Sequence, residues 1–352
     1  MPTEATLPRV ACHALFLLGC GSRDAVSDAT ALADAAWLED AADAARPPVA
    51  PPGLQHWLVG NPADVVTSPT GGIILMGGGT DVDAAFAWQR DRIGGGDVVV
   101  LRASGADGYN SYLFGEIGGV DSVETLVVDT TALAAEPYVR WTLDHAEAIF
   151  LAGGDQFVYL TAWKNTAVED ALQAAWQRSA VIGGTSAGCA VLGSIVYSAA
   201  QGSVYSNEAL ADPFNAYMTF ERDFLSLPPL AGVVTDTHFV TRDRMGRLLG
   251  FVARALTDGA AAHPLGIGID EQTALLVDRS GLATVAGVGA IYVVNPTAAP
   301  AQCIPGTALR WDDVPVHKLR AGDTISLPAA TTSVAAATIS ARDGQLVPQN
   351  PY

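Results

Sequence analysis

Val181-Ile182-Gly183-Gly184-Thr185-Ser186-Ala187-Gly188-Cys189-Ala190 reads as a short apolar strand, a G-T-S-A-G turn and the small-residue start of a helix. Glycines two positions either side of Ser186 let the chain reverse sharply, which lifts the serine hydroxyl to the end of the strand. The same turn aims the amide of Ala187 at any negative charge that develops on a bound carbonyl oxygen. The pattern predicts a nucleophile elbow, which requires a buried strand feeding directly into a helix.

Outward from this elbow the chain keeps that alternation. Gly72–Met76, Val98–Arg102, Thr125–Val128, Ala148–Ala152 and Ala180–Ile182 are short apolar runs, with helical patterns such as 81–91 and 166–179 between them. Such alternation predicts an α/β fold, a mostly parallel sheet with helices on both faces, and places ligands at the carboxyl ends of its strands. Glycine clusters fall at those ends: Gly77-Gly78-Gly79, Gly153-Gly154 and Gly183-Gly184. None carries a P-loop lysine or a complete G-x-G-x-x-G before a helix, which argues against nucleotide binding. After Gly259 the pattern changes to strands joined by turns, at 266–269, 274–277, 284–288 and 290–294, and residues 296–352 read as a small β-rich extension.

The N-terminal 52 residues are of another kind. Leu17-Leu18-Gly19-Cys20 after a short apolar stretch is similar to a lipoprotein cleavage box that would leave a lipidated Cys20, although Glu4 offsets Arg9 and His13 interrupts the apolar run. An exported lipoprotein and a cytoplasmic chain with a disordered leader both remain open. Residues 23–52, rich in Ala and Asp and ending Arg46-Pro47-Pro48-Val49-Ala50-Pro51-Pro52, read as a tether. The expected organisation is therefore a leader and tether at 1–52, a catalytic α/β domain at 53–295 and an extension at 296–352.

Composition excludes several classes. With 19 basic against 37 acidic residues the formal charge is −18 and no basic stripe interrupts it, which speaks against nucleic-acid binding. No apolar run reaches the length of a spanning helix. Cys12, Cys20, Cys189 and Cys303 have neither metal-ligand nor disulfide spacing, so neither a metal nor a cofactor is implied. Cys189, beside the elbow, reads as a small buried apolar residue.

A serine nucleophile needs a base. Of the six histidines, His13 is in the leader, His56 precedes the sheet, His145 is in a helical stretch, His263 precedes Pro264 in a loop and His317 is in the extension. His238 follows the apolar run that starts at Gly232, where a strand end can bring it to Ser186. A purely structural histidine is the competing reading.

Four ordered motifs now stand together: Gly153-Gly154-Asp155-Gln156, Gly183-Gly184-Thr185-Ser186-Ala187-Gly188, Asp236-Thr237-His238-Phe239 with Arg242-Asp243-Arg244-Met245-Gly246-Arg247, and Gly266-Ile267-Gly268-Ile269-Asp270-Glu271. Across about residues 70–295 the chain closely resembles cyanophycinases, serine peptidases related to aspartyl dipeptidases. The resemblance implies a class I glutamine amidotransferase-like three-layer sandwich, usually dimeric, with Ser186 as nucleophile and His238 as base. It implies oxyanion donors at Ala187 and Gly154, and a pocket of Gln156, Asp236, Arg242, Arg244 and Arg247. Arginines hold carboxylates by forked hydrogen bonds, and a carboxylate can hold a guanidinium. A solvated helix face is the competing reading of the arginines.

This chain departs from the family at three points. Thr237 replaces a common glutamine, residues 213–230 look inserted, and Val204 falls where the triad acid belongs. Glu208 is the nearest acid and is expected to orient His238, with Asp212 in reserve. The expected function is hydrolysis of aspartyl or β-aspartyl amide bonds, with cyanophycin or a related peptide as substrate. An α/β-hydrolase esterase is the rival enzyme, though its histidine normally lies near the chain end. The rival of another class is a non-catalytic binding protein that has lost its acid.

Overall fold

Each of the central strands alternates its side chains between two cores. In the computed structural model, which describes residues 47–352, Ile73 and Leu75 face one cluster while Ile74 and Met76 face the other. All four are fully buried, as the period-two geometry of a strand covered on both sides requires. The cleavage box at Cys20, Cys12, and the leader and tether as far as residue 46 lie outside the described residues.

In chain order the strands are β1 (Gln55–Gly60), β2 (Gly72–Met76), β3 (Val98–Arg102), β4 (Ser122–Val127), β5 (Ala148–Leu151), β6 (Val181–Thr185), β7 (Ile195–Tyr197), β8 (Phe220–Arg222) and β9 (Val233–Asp236). They continue as β10 (Leu265–Ile269), β11 (Thr273–Val277), β12 (Leu282–Gly287), β13 (Ile291–Val294), β14 (Trp311–Leu319), β15 (Thr324–Ser326), β16 (Ala336–Arg342) and β17 (Gln345–Val347). The helices that matter here are α1 (Asp83–Ile93), α2 (Pro137–His145), α3 (Gln156–Trp163), α4 (Ala167–Gln177), α5 (Ala187–Ala190), α6 (Ser206–Ala211) and α7 (Met245–Thr257).

The first sheet runs β1-β4-β3-β5-β6-β2-β11-β12-β15. Its middle five strands, β4 to β2, are mutually parallel, and antiparallel strands flank them on both sides. Helices α2, α3 and α4 close one face through Leu143, Trp163 and Trp176, and α1 closes the other through Phe86 and Ile93. The α/β fold with a mainly parallel sheet is thus present.

A second sheet, β17-β16-β14-β13-β10-β9-β7-β8, shares the core of α2 to α4 through Val196, Val233, Ile267 and Ile291. Its outer face carries α7 and α6, where Val234, Tyr292 and Val294 meet Leu248, Leu249 and Leu210. Segment 213–230 supplies edge strand β8, paired with β7. Strands of residues 296–352 enter both sheets: β15 pairs with β12, and β14 pairs with β13 and β16. Among the described residues no helix is long and apolar enough to cross a membrane.

Candidate active site

The elbow is built as the glycine spacing demands. Ser186, between β6 and α5, has φ 52° and ψ −117°, a strained combination for a side-chain-bearing residue. Gly184 and Gly188 flank it because the chain doubles back on itself. A Cβ on Gly184 would lie 2.5 Å from the Gly188 carbonyl, and one on Gly188 would lie 2.0 Å from the Leu151 oxygen. No side chain fits either place. The turn is anchored by the Ser186 amide donating to Met76 O at 3.1 Å.

His238 follows β9 by two residues and also has positive φ, 49°. Its amide donates to Gly77 O at 2.7 Å, which ties the second sheet to the glycine turn after β2. Gly78 leaves the imidazole its room, since a Cβ there would lie 2.5 Å from the ring. Ser186 Oγ and His238 Nε2 are 2.8 Å apart, so the two side chains singled out in the sequence meet. Among the described residues, His56 is bonded to Glu124, His145 is stacked on Trp141, and His317 is held by Val334 O.

The third member is not the acid expected. Glu271 Oε1 lies 2.6 Å from His238 Nδ1. A carboxylate at that distance keeps the proton on Nδ1, so Nε2 is left to accept from the serine hydroxyl. The bond holds the Glu271 carboxyl below its usual range. Burial is the main cause that lowers the His238 pKa below its ordinary value, with Arg242 and Arg244 adding to it and Glu271 opposing it.

Glu208 is spent locally. It stands in the first turn of α6, and its carboxylate accepts the Tyr205 amide at 2.8 Å, the back-reaching half of a capping box. Asp212 accepts from Phe214 N and Gly306 N and holds a turn against the C-terminal segment. Val204 is buried, and its carbonyl accepts from Arg247. Neither sequence candidate, Glu208 nor Asp212, therefore meets His238; the carboxylate that does is that of Glu271. The missed signal is strand pairing: β9 and β10 run parallel with Asp236 opposite Gly268, so residues just past both strands must meet.

A cavity of about 160 Å³ opens beside Ser186, lined by Gly154, Gln156, Ala187, Asp236 and the arginines at 242, 244 and 247. All the residues expected at a binding pocket are brought together, with different tasks. Arg247, 4% exposed, forks onto Asp236 through Nε at 2.7 Å and Nη2 at 2.5 Å. Asp236 also accepts from Thr237 N and lies 3.4 Å from Arg244 Nη1, so its carboxylate is engaged by this chain's own groups. Breaking so buried a pair costs about 3–5 kcal/mol.

Arg244 Nη1 donates to Thr237 O at 2.6 Å and lies 3.4 Å from Asp236 Oδ1, which leaves Nε and Nη2 to the cavity. Burial pushes its pKa down to about 10, still charged at neutral pH. Arg242 is exposed at the rim. Arg244 and Arg247 are thus not a solvated helix face. Gln156 opens α3 and reaches Tyr197 O at 3.4 Å. Neither the Ala187 nor the Gly154 amide donates to an acceptor among the described residues, and Gly153 brings its loop to Ser186, its would-be Cβ 3.6 Å from that of the serine. Cys189 is wholly buried, which pushes its thiol pKa up and leaves it inert. Among the described residues no cluster could hold a metal ion.

Fold and site together define an α/β protein with a serine at a sharp strand-to-helix turn, a histidine on its hydroxyl and a carboxylate on that histidine. Residues 112–285 match the model of Peptidase family S51. A cyanophycinase of Trichormus variabilis is 32% identical over 205 residues, 57% of this chain and 62% of that protein. One of Thermosynechococcus vestitus is 31% identical over 181 residues, 51% of each chain. The solved structure of a peptidase from an acI-B1 Actinobacterium aligns at 19% identity and TM-score 0.49, covering 74% of this chain and 98% of that one. Over these residues the chain is similar to peptidase family S51 and to cyanophycinases. It spans less than two thirds of the length of the cyanophycinases it matches.

Proposed function

We propose that this chain is a serine peptidase that cleaves aspartyl or β-aspartyl amide bonds by a Ser186, His238, Glu271 mechanism. The carrying observation is the unbroken hydrogen-bond series from Ser186 Oγ through His238 to Glu271, opening on a cavity walled by arginine.

In this reading Ser186 Oγ attacks the scissile carbonyl carbon while its proton passes to His238 Nε2. Negative charge on the carbonyl oxygen is taken up by the amides of Ala187 and Gly154. Collapse breaks the C–N bond, and the imidazolium returns its proton to the departing amine, leaving an ester on Ser186. Water then attacks that ester, His238 takes its proton and gives it back to Ser186 Oγ, and the acid leaves. Glu271 stays ionised, accepts the hydrogen bond from His238 Nδ1–H throughout and stabilises the transient imidazolium.

Substrate choice rests on the cavity. About 160 Å³ accommodates one small residue, which fits an enzyme working at a terminal or dipeptide unit. Arg244, with Arg242 at the rim, offers forked donors to a carboxylate on that residue. Cyanophycin and isoaspartyl dipeptides both present such a group beside an amide bond. Assay of both against the Ser186→Ala protein is the decisive test. Wild type should release acidic products and label with a fluorophosphonate. The variant should lose at least about a thousandfold in kcat and fold normally. Near wild-type turnover by the variant overturns the mechanism, and absence of labelling in the wild type favours a binding protein.

A further inference from the structure

Tyr352 lies 67 positions beyond the S51-matching segment, yet its side chain is fastened to the loop that carries the arginines. Its hydroxyl accepts the Met245 amide at 2.9 Å and donates to Asp243 Oδ1 at 2.9 Å. Its ring meets Phe239 and Tyr292 edge-on, with centroids 5.9 and 5.7 Å away. Met245 is the first residue of α7, a helix whose own N-cap residue, Arg244, supplies no side-chain cap. The Tyr352 hydroxyl fills that place from 107 residues away. Burial pushes the phenol pKa upward, so its proton stays available to Asp243.

Asp243 is the residue this fastening acts on. It stands between Arg242 and Arg244 in sequence, with a positive φ of 48°. The arginines on either side line the cavity and Asp243 does not. A free carboxylate between two arginines would compete with a substrate carboxylate for the same donors.

We propose that Tyr352 is a positioning residue for substrate selection: it turns the Asp243 carboxylate outward, which leaves Arg242 and Arg244 free for an acidic substrate. The inference rests on the reading of the cavity as a carboxylate pocket. Removing the hydroxyl releases Asp243 toward the arginines and weakens acidic substrates at the binding step, while Ser186, His238 and Glu271 keep their places.

The test compares kcat and KM for β-aspartyl dipeptides in wild type, Tyr352→Phe and the double variant Tyr352→Phe, Asp243→Asn. The single variant should raise KM by about tenfold or more, the scale of a lost charge-assisted hydrogen bond, with kcat little changed. The double variant should recover KM, because asparagine carries no charge to compete. A merely structural tyrosine would lower kcat and melting temperature together and would not be rescued by Asp243→Asn. Unchanged KM in an active single variant, or a raised KM that Asp243→Asn leaves raised, overturns the inference alone. Failure of wild type to act on any acidic dipeptide overturns the pocket reading and this inference with it.

Discussion

Position 271 separates charge from shape, because glutamine there keeps the size and hydrogen-bonding length of glutamate and loses the anion. Glu271→Gln should lower kcat by about a thousandfold or more, since the imidazolium loses its stabilising carboxylate and His238 can adopt the wrong tautomer. Glu208→Gln should leave kcat within a few-fold, because that carboxylate caps α6 and never meets His238. The pH profile carries a second sign. Burial holds the His238 pKa below its ordinary value, so the base stays neutral and active from neutral pH down to below about 6.5, the usual histidine value, and activity falls as pH drops through the lowered pKa. Glu271 raises that pKa, so its removal should move the acid limb of kcat/KM further down. An acid limb displaced upward in Glu271→Gln would contradict the assigned contact.

Elements explain what the sequence showed and what it hid. Strand β6, the elbow and α5 were legible because each of their constraints is local: apolar run, paired glycines, small residues at a helix start. Gly188 states the constraint most sharply, its would-be Cβ 2.0 Å from Leu151 O, a backbone atom that cannot move aside. Gly188→Ala should therefore cost several kcal/mol of stability, above the roughly 1–3 kcal/mol of ordinary overpacking, seen as a lower urea midpoint and largely insoluble expression. Wild-type stability in that variant would mean that the elbow relaxes. The acid was hidden because it depends on two elements at once. β9, α7 and β10 form a strand, helix, strand unit whose parallel strands end side by side, and only that pairing carries Glu271 to His238. Glu208 was attractive on sequence distance alone. Its actual place, accepting the Tyr205 amide at the start of a helix, carries no S/T-x-x-E signature, because a tyrosine stands at the cap. The second sheet escaped for a similar reason: β7, β8 and β9 are short and join strands from far along the chain.

For the whole molecule, the residues after 295 are part of the frame that carries the site. Leu319 and Ile325 belong to the core shared by both sheets, and Trp311, Val316 and Ile339 to the core over α7. A chain ending at Asn295 would leave β12 and β13 as bare edges beside exposed core, so it should express as aggregate and show no fluorophosphonate labelling in any soluble fraction. Soluble, labelled protein from that truncation would show that residues 53–295 suffice. The nucleophile ends a strand of the first sheet, whereas the base and its acid end strands of the second, so the 2.8 Å bond between Ser186 and His238 spans two separately hydrogen-bonded layers. Nothing within either ladder fixes that length. It is set where the layers meet, by the Ser186 amide on Met76 O and the His238 amide on Gly77 O, and by the side chains packed between them, Val233, Ile267 and Leu275 among them. The catalytic bond thus works as a vernier across the molecule: a slip of a few tenths of an ångström between sheets, too small to break any ladder, is read out at once as a misaligned proton transfer.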